Sequence, residues 1–202
     1  MRLAHIVPTA CLAVLLSGSP ALAQQPRYDI GLLTGWLKAS PADNALSFHV
    51  GPNYEATLAR QVWQNETVSL AIEVPFFAQN SISTKTPGAL LPREYASLFL
   101  TPGLRIHLHP ERLVSVFGTL GGGYARYSES KIRADGGPNP QQRDTNTGAV
   151  QFGAGVDVRG GSWLALRGEV RDIVTSARQF SVPVPDTTVH NVVLSLGIAV
   201  RF

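Results

Sequence analysis

Cysteine is almost absent from this sequence, since Cys11 is the only one among its 202 residues. It lies in the short apolar run Ala10–Leu16, which is followed by the small-residue pattern Ala21-Leu22-Ala23. This layout is typical of a secretory signal peptide, so we predict that residues 1–23 are a signal peptide cleaved after Ala23. The remaining domain, residues 24–202, then contains no cysteine, which excludes disulfides and thiol chemistry.

Long apolar runs are also missing. The run in the predicted signal peptide is far shorter than the roughly 20 residues that a membrane-spanning helix needs, so it does not predict an anchor. Further along, apolar stretches are interrupted at every second residue, as by Arg167, Glu169 and Arg171. The net charge of +3 is too small an excess to predict a nucleic-acid partner. Together with 19 glycines, this period-two pattern predicts an all-β protein.

Eight segments have the alternation and the length of barrel strands, since each reaches the roughly 9–11 residues that cross a membrane. The predicted strands are Arg27–Lys38, Ser47–Trp63, Thr67–Gln79, Glu94–Leu108, Leu113–Tyr127, Ala149–Val158, Trp163–Val174 and Val189–Phe202. The connections between them are alternately long and short along the chain. Outer-membrane barrels show this asymmetry, with short periplasmic turns and long external loops. The sequence therefore predicts an eight-stranded antiparallel up-and-down transmembrane β-barrel in the cell outer membrane, with both termini periplasmic.

Alternation within the strands predicts which face meets lipid. In the last strand the apolar face consists of Val192, Leu194, Leu196, Ile198, Val200 and Phe202. An eight-stranded barrel has room only for tightly packed side chains, so the bulkier apolar face is predicted to face lipid. Arg60 falls on this face by strict counting, which predicts a nearby β-bulge or an arginine that reaches the interface. The glycines at 121–123 predict close strand packing.

Aromatic residues near the predicted strand ends suggest interfacial girdles. They are Trp63, Phe76, Tyr95, Tyr124, Tyr127, Trp163 and Phe202.

Three stretches of the chain carry sequence features of a known family. Leu194–Phe202 alternates apolar residues and ends in an aromatic, and Phe99–Arg105 and Gly118–Tyr124 add weaker support. In these stretches the chain resembles the bacterial outer-membrane β-barrel domain family, the small barrels similar to outer-membrane protein A and the opacity proteins. The resemblance implies that Phe202 belongs to the signal read by the barrel-assembly machinery. It also implies outer-membrane lipid and periplasmic chaperones as partners, and it implies no cofactor, metal or shared catalytic residue.

Histidine patterns give little support for an enzyme. Ser47 and His49 share one strand face, but no third residue clearly supports them as a hydrolase pair. His107 is predicted to be a lone interior histidine and His109 a turn residue, rather than a metal pair. His190 lies near an external loop and has no evident partner in the sequence.

Charged residues on the predicted inward faces are the most informative feature that remains. They are Asp29, Glu73, Arg105, Asp157, Arg167, Glu169, Arg171 and Arg201. An unpaired buried charge is costly, so each is expected to pair and to help close the lumen.

The predicted function is non-enzymatic: an integral outer-membrane barrel for envelope integrity, or for contact with a surface ligand through four external loops. A small channel for ions or solutes, gated by the interior charge pairs, is the first alternative. A lipid-modifying enzyme is the second, and a cluster of serine, histidine and carboxylate at the lipid boundary would favour it.

Overall fold

The structure is a computed structural model, and it describes residues 28–41, 50–83, 92–133, 135–140, 144–176 and 188–202. The predicted signal peptide and the residues Ser47 and His49 lie outside these ranges. The strands are β1 (Tyr28–Pro41), β2 (Gly51–Gln64), β3 (Val68–Ser83), β4 (Glu94–Leu100), β5 (Gly103–Leu108), β6 (Val114–Glu129), β7 (Asp144–Arg159), β8 (Leu164–Thr175) and β9 (Val189–Arg201). In the described ranges, no helix has the length and apolar content needed to cross a membrane.

The sheet closes on itself. All strand pairs are antiparallel, and β1 pairs with β2 on one side and with β9 on the other. Both β4 and β5 pair with β3 and with β6, so they are two halves of one barrel strand. The fold is therefore a closed eight-stranded antiparallel barrel, as the sequence predicts.

The fourth barrel strand is interrupted at Pro102, within the segment predicted as one continuous strand. Proline has no N–H to donate to the ladder. The neighbouring strand β6 approaches the interruption closely, because a Cβ added at Gly123 would lie 2.0 Å from the carbonyl oxygen of Leu100. A Cβ at Gly121 would lie 2.7 Å from the carbonyl oxygen of Thr101. Glycine at these positions lets the backbones meet, which confirms the predicted close packing.

The short turns lie at the end of the barrel where β1 begins and β9 ends. There the N–H of Tyr28 donates to the carbonyl of Phe202, and the N–H of Phe202 donates back, at 2.9 and 3.0 Å. In the turn after β2, the Asn65 side chain accepts hydrogen bonds from the backbone N–H groups of Thr67 and Val68. His109 lies in the turn after β5 with a φ of 52°, so its predicted turn position is confirmed. We call this end the short-turn end and the opposite end the loop end.

The exterior of the barrel is apolar, as predicted. Its large exposed side chains include Leu32, Leu104, Leu120, Phe152, Leu166, Leu194, Leu196 and Ile198. Arg60 also points outward, with its guanidinium 5.9 Å from the ring centre of Tyr28. The register of β2 against β3 shifts between Gln61 and Trp63, so the predicted bulge is present next to Arg60.

Two of the aromatics predicted for the girdles face the lumen instead. Tyr95 is 1% exposed and Tyr127 is 3% exposed. The residues before and after each tyrosine point outward, so alternation along the strand directs the tyrosine inward. Lying near a strand end does not by itself place an aromatic ring on the lipid face. The other five aromatics of that set are exposed.

Candidate functional site

The short-turn half of the lumen is built around Arg167. Its Nη1 and Nη2 donate to the two carboxylate oxygens of Asp29 at 2.8 and 2.9 Å. Its Nε and Nη2 donate to Asp157 at 2.8 and 2.9 Å. One guanidinium thus binds carboxylates from β1 and β7 in the paired geometry that arginine favours.

Two further arginines and a histidine complete this cluster. Arg105 Nη1 donates to Asp29 at 3.0 Å, and Arg201 Nε lies 3.3 Å from the same carboxylate. Arg201 also pairs with Asp157, and His107 Nε2 lies 3.2 Å from Asp157 Oδ2. His107 is therefore an interior histidine with a carboxylate partner, although the sequence predicts a lone one.

The middle of the lumen is built around Arg171. It pairs with Glu169 from its own strand and with Glu73 from β3, and its Nη1 donates to Gln151 at 3.3 Å. Its Nη2 lies 3.5 Å from Glu55 Oε1. Glu73 also pairs with Arg105, which joins the two clusters into one network.

The structure places all eight predicted charged residues on the lumen side. Strand alternation on β8 puts Arg167, Glu169 and Arg171 on one face, as the sequence indicates. Glu169 pairs with Arg171, whereas Arg167 turns toward Asp29 and Asp157. Six of the eight side chains are almost fully buried, whereas Asp29 and Arg201 keep a small exposed fraction at the short-turn end. The ion pairs therefore bring charges from distant strands together across the barrel.

Aromatic rings pack against the arginines. The Phe117 ring centre lies 5.0 Å from the Arg105 guanidinium and 5.3 Å from that of Arg167. The Phe77 ring lies 5.6 Å from the Arg171 guanidinium. Such contacts are favourable when desolvated, so the rings fill space and also stabilise charge.

An apolar plug fills the loop half of the lumen. The plug consists of the buried residues Leu37, Ala39, Phe77, Tyr95, Phe99, Ala125, Tyr127, Ala149, Ile173, Val189 and Val193. The Tyr127 ring packs edge-on against Phe99, with centroids 5.7 Å apart. Its hydroxyl lies 2.9 Å from Thr175 Oγ1 and accepts a hydrogen bond from Asn191. The Tyr127 hydroxyl therefore has polar partners within the plug, and the buried pair Ser97 and Gln79 lies beside it.

Glu55 and the residues of the plug are not among the inward residues predicted from the sequence. Glu55 lies five residues before Arg60, so the counting that places Arg60 on the lipid face also places Glu55 inward. Phe99 likewise shares its strand face with Ser97 and Thr101. The bulk of Phe99 conflicts with the expectation of small inward residues, although its strand position is inward.

A cavity of about 40 Å³ remains at the short-turn end. Its lining includes Asp29, Arg105, His107, Glu111 and Arg201. This volume suits only a few water molecules at most. Among the described residues, no group of three or more His, Cys, Asp or Glu side chains is placed to hold a metal ion.

A second polar site lies on the outer face, near the loop end. His190 Nδ1 lies 2.7 Å from Asp172 Oδ2, and both side chains are partly exposed. The sequence gives no evident partner for His190, and the structure corrects this expectation because it pairs His190 with Asp172. The reason is that the two residues are 18 positions apart in sequence and meet only because β8 and β9 pair.

The fold matches solved structures, although the sequence comparisons give no match. Protein-family models give no match to the chain, and curated sequences give none either. Among solved structures, the chain is similar to the attachment invasion locus protein Ail of Yersinia pestis, with 11% identity and a TM-score of 0.55. That match covers 89% of this chain and 100% of Ail.

Two further structures give the same result. Neisserial surface protein A matches with 12% identity and a TM-score of 0.57, covering 87% of this chain and 97% of that one. The N-terminal β-barrel domain of Pseudomonas aeruginosa OprF matches with 9% identity and a TM-score of 0.52, covering 88% and 98%. The chain therefore has the fold of the small eight-stranded outer-membrane barrels, as the resemblance in its sequence implies.

Proposed function

We propose that this chain is an integral outer-membrane barrel with a sealed lumen, acting through its exterior and loops in envelope integrity or surface contact. The filling of the lumen carries this proposal. The charge network occupies the short-turn half and the apolar plug occupies the loop half. Apolar constrictions disfavour water and ions, so the plug argues against a channel for solutes.

The outer surface supports the membrane placement. Exposed aromatics flank the apolar band, with Trp63, Trp163 and Phe202 toward the short-turn end and Trp36 and Tyr124 toward the loop end. Aromatic girdles of this kind form at both membrane interfaces. Since short turns face the periplasm in outer-membrane barrels, we place both termini there. Outer-membrane lipid, the assembly machinery and periplasmic chaperones are the partners that this placement implies.

Single cysteines test the placement, because the predicted mature chain has none. Lys131→Cys reports the loop end and Glu66→Cys reports the short-turn end. In intact cells, a membrane-impermeant maleimide should label Lys131→Cys and should label Glu66→Cys only after the outer membrane is permeabilised. The reverse pattern would contradict the orientation. Recovery of the protein in the soluble periplasmic fraction would contradict the membrane placement.

A further inference from the structure

Three polar residues on adjacent strands lie on the outer face near the loop end. Ser40 on β1 is the direct register partner of His190 on β9, and His190 is hydrogen-bonded to Asp172 on β8. Their sequence neighbours Ala39 and Asn191 face the lumen, so Ser40 and His190 share the exterior face. Directly opposed residues on one face have Cβ atoms about 4.5–5.5 Å apart. The histidine therefore stands between a serine on one side and a carboxylate on the other.

The depth of this group matches the boundary between apolar and polar surface. On β1, the outward side chains change from Leu32 and Trp36 to Lys38 and then to the partly exposed Ser40 toward the loop end. On β9, Leu194 and Val192 precede His190 in the same direction. Trp36 is 62% exposed, and exposed tryptophan is typical of the membrane interface. The ester bonds of membrane lipids also lie at the interface, between the acyl chains and the headgroups.

We propose that Ser40, His190 and Asp172 form a hydrolytic triad that cleaves acyl esters of lipids in the leaflet on the loop side. The order of roles is that of serine hydrolases: nucleophile, general base and orienting carboxylate. Asp172 binds the ring through Nδ1, which leaves Nε2 as the nitrogen that can act as the base toward Ser40. Side-chain rotation of Ser40 would bring its hydroxyl to Nε2, and catalytic hydrogen bonds often tighten only when substrate binds.

The chemistry requires only the lipid and water. Ser40 Oγ attacks the ester carbonyl carbon while His190 Nε2 takes the hydroxyl proton. The tetrahedral intermediate breaks its C–O bond, and His190 returns the proton to the leaving alcohol. Water then attacks the acyl-serine with His190 again as base, which releases a carboxylic acid and restores the Ser40 hydroxyl. Asp172 does not exchange a proton in these steps and acts as a positioning residue.

Lys38 supplies positive charge beside the nucleophile. It lies two residues before Ser40 on the same outward face, and its side chain is exposed. An ammonium at this position favours the oxyanion of the tetrahedral intermediate, and it also attracts lipid phosphate. The proposed activity rests on the membrane placement above and goes beyond it, since it would replace the expectation that the chain is not an enzyme.

Covalent labelling tests the triad directly. A fluorophosphonate probe is added to the purified barrel in detergent, and the modified residue is located by mass spectrometry. We expect label on Ser40, none on Ser40→Ala, and labelling of His190→Gln slowed by about 100-fold or more. Asp172→Asn should label slowly, and Asp172→Glu should restore much of the rate, which a purely structural role would not produce.

A matched control separates chemistry from folding. Ser128→Ala removes another outward serine near the loop end, whose register partner is Asp144, and it should label like the wild type. Heat-modifiable migration on gels confirms that each variant is folded. Because the labelling is done in detergent, its failure is distinct from failure of the membrane placement.

Lipid products identify the substrate. Vesicles of phosphatidylglycerol and vesicles containing lipopolysaccharide are incubated separately with reconstituted protein, and released fatty acids are measured. Ser40-dependent release from one kind of vesicle names the source of the ester. Absence of Ser40 labelling in the folded wild type, together with no fatty acid from either vesicle, would overturn the proposal.

Discussion

Asp29 lies directly opposite Arg201 where the first and last strands close the barrel, and their side chains are 3.3 Å apart. Both residues are predicted to lie on inward faces near the periplasmic rim, and the structure brings them together at the short-turn end. Because β1 pairs with β9, none of the described strands is left as an open edge, and lipid would not tolerate an open edge. The pair therefore links the two ends of the sheet through side chains as well as backbone.

We predict a small coupling between these two residues. Asp29 keeps Arg167 and Arg105 when Arg201 is removed, and Arg201 keeps Asp157, so each retains partners. A double-mutant cycle of Asp29→Asn and Arg201→Gln on the free energy of unfolding should give a non-zero coupling of about 1 kcal/mol or less. Zero coupling within error would contradict the prediction that this pair helps to close the barrel.

Arg167 should contribute far more to the free energy of unfolding than the Asp29–Arg201 pair does. Its replacement by glutamine leaves the buried carboxylates of Asp29 and Asp157 without their main partner. Breaking a buried pair by removing one member costs about 3–5 kcal/mol. Arg159→Gln is the matched control, since its partner Glu111 is half exposed, and it should cost much less. Equal losses for the two variants in urea unfolding would contradict the network.

Gly35→Ala should disturb the closing strand pair. A Cβ at Gly35 would lie 1.8 Å from the carbonyl oxygen of Leu194, so the backbone would have to move. We expect a loss of about 1–3 kcal/mol, as for an overpacked core. Gly148→Ala, where an added Cβ meets nothing within 4 Å, should be close to neutral. If the two variants unfold alike, the close approach of β1 and β9 does not limit stability.

Glu111 should contribute stability that acid removes. Partial burial opposes its ionisation, but hydrogen bonds from Arg159 and Gln64 outweigh that effect and hold the pKa of the Glu111 carboxyl below 4.5, its usual value. A lowered folded pKa means that the stabilisation is present above the unfolded value and is lost as the pH falls through the folded one. The difference in unfolding free energy between wild type and Glu111→Gln should therefore shrink below about pH 4.5. A difference independent of pH would refute the ionised pair.

Deletion of Phe202 should impair assembly more than the finished barrel. Phe202 stacks on Tyr28 with ring centroids 5.9 Å apart, but its side chain is largely exposed, so little packing is lost. The expected result is lower outer-membrane yield and more periplasmic degradation, with nearly unchanged stability of the protein that does assemble. Normal yield and normal heat-modifiable migration would show that the final aromatic carries no assembly signal here.

The sequence predicts the barrel well because period-two alternation is local and repeats in every strand. Alternation alone places Asp29, Glu73 and Arg171 inward. It does not choose partners, since Arg167 binds Asp29 from 138 positions away and not its strand neighbour Glu169. The Asp172–His190 pair depends on register between strands in the same way. Alternation also places Glu55 inward, because the counting that puts Arg60 on the lipid face puts Glu55 on the opposite one.

Single-channel recording in planar bilayers tests the central claim, a sealed lumen, most directly. The wild-type barrel should give no stable openings, while a porin reconstituted in parallel gives its usual steps. Replacing Phe99 and Tyr127 in the plug with serine should admit water and produce small openings if the plug is the seal. Stable openings of the wild type, lost or enlarged when Glu73 or Arg105 is changed to alanine, would contradict the sealed lumen and establish a channel.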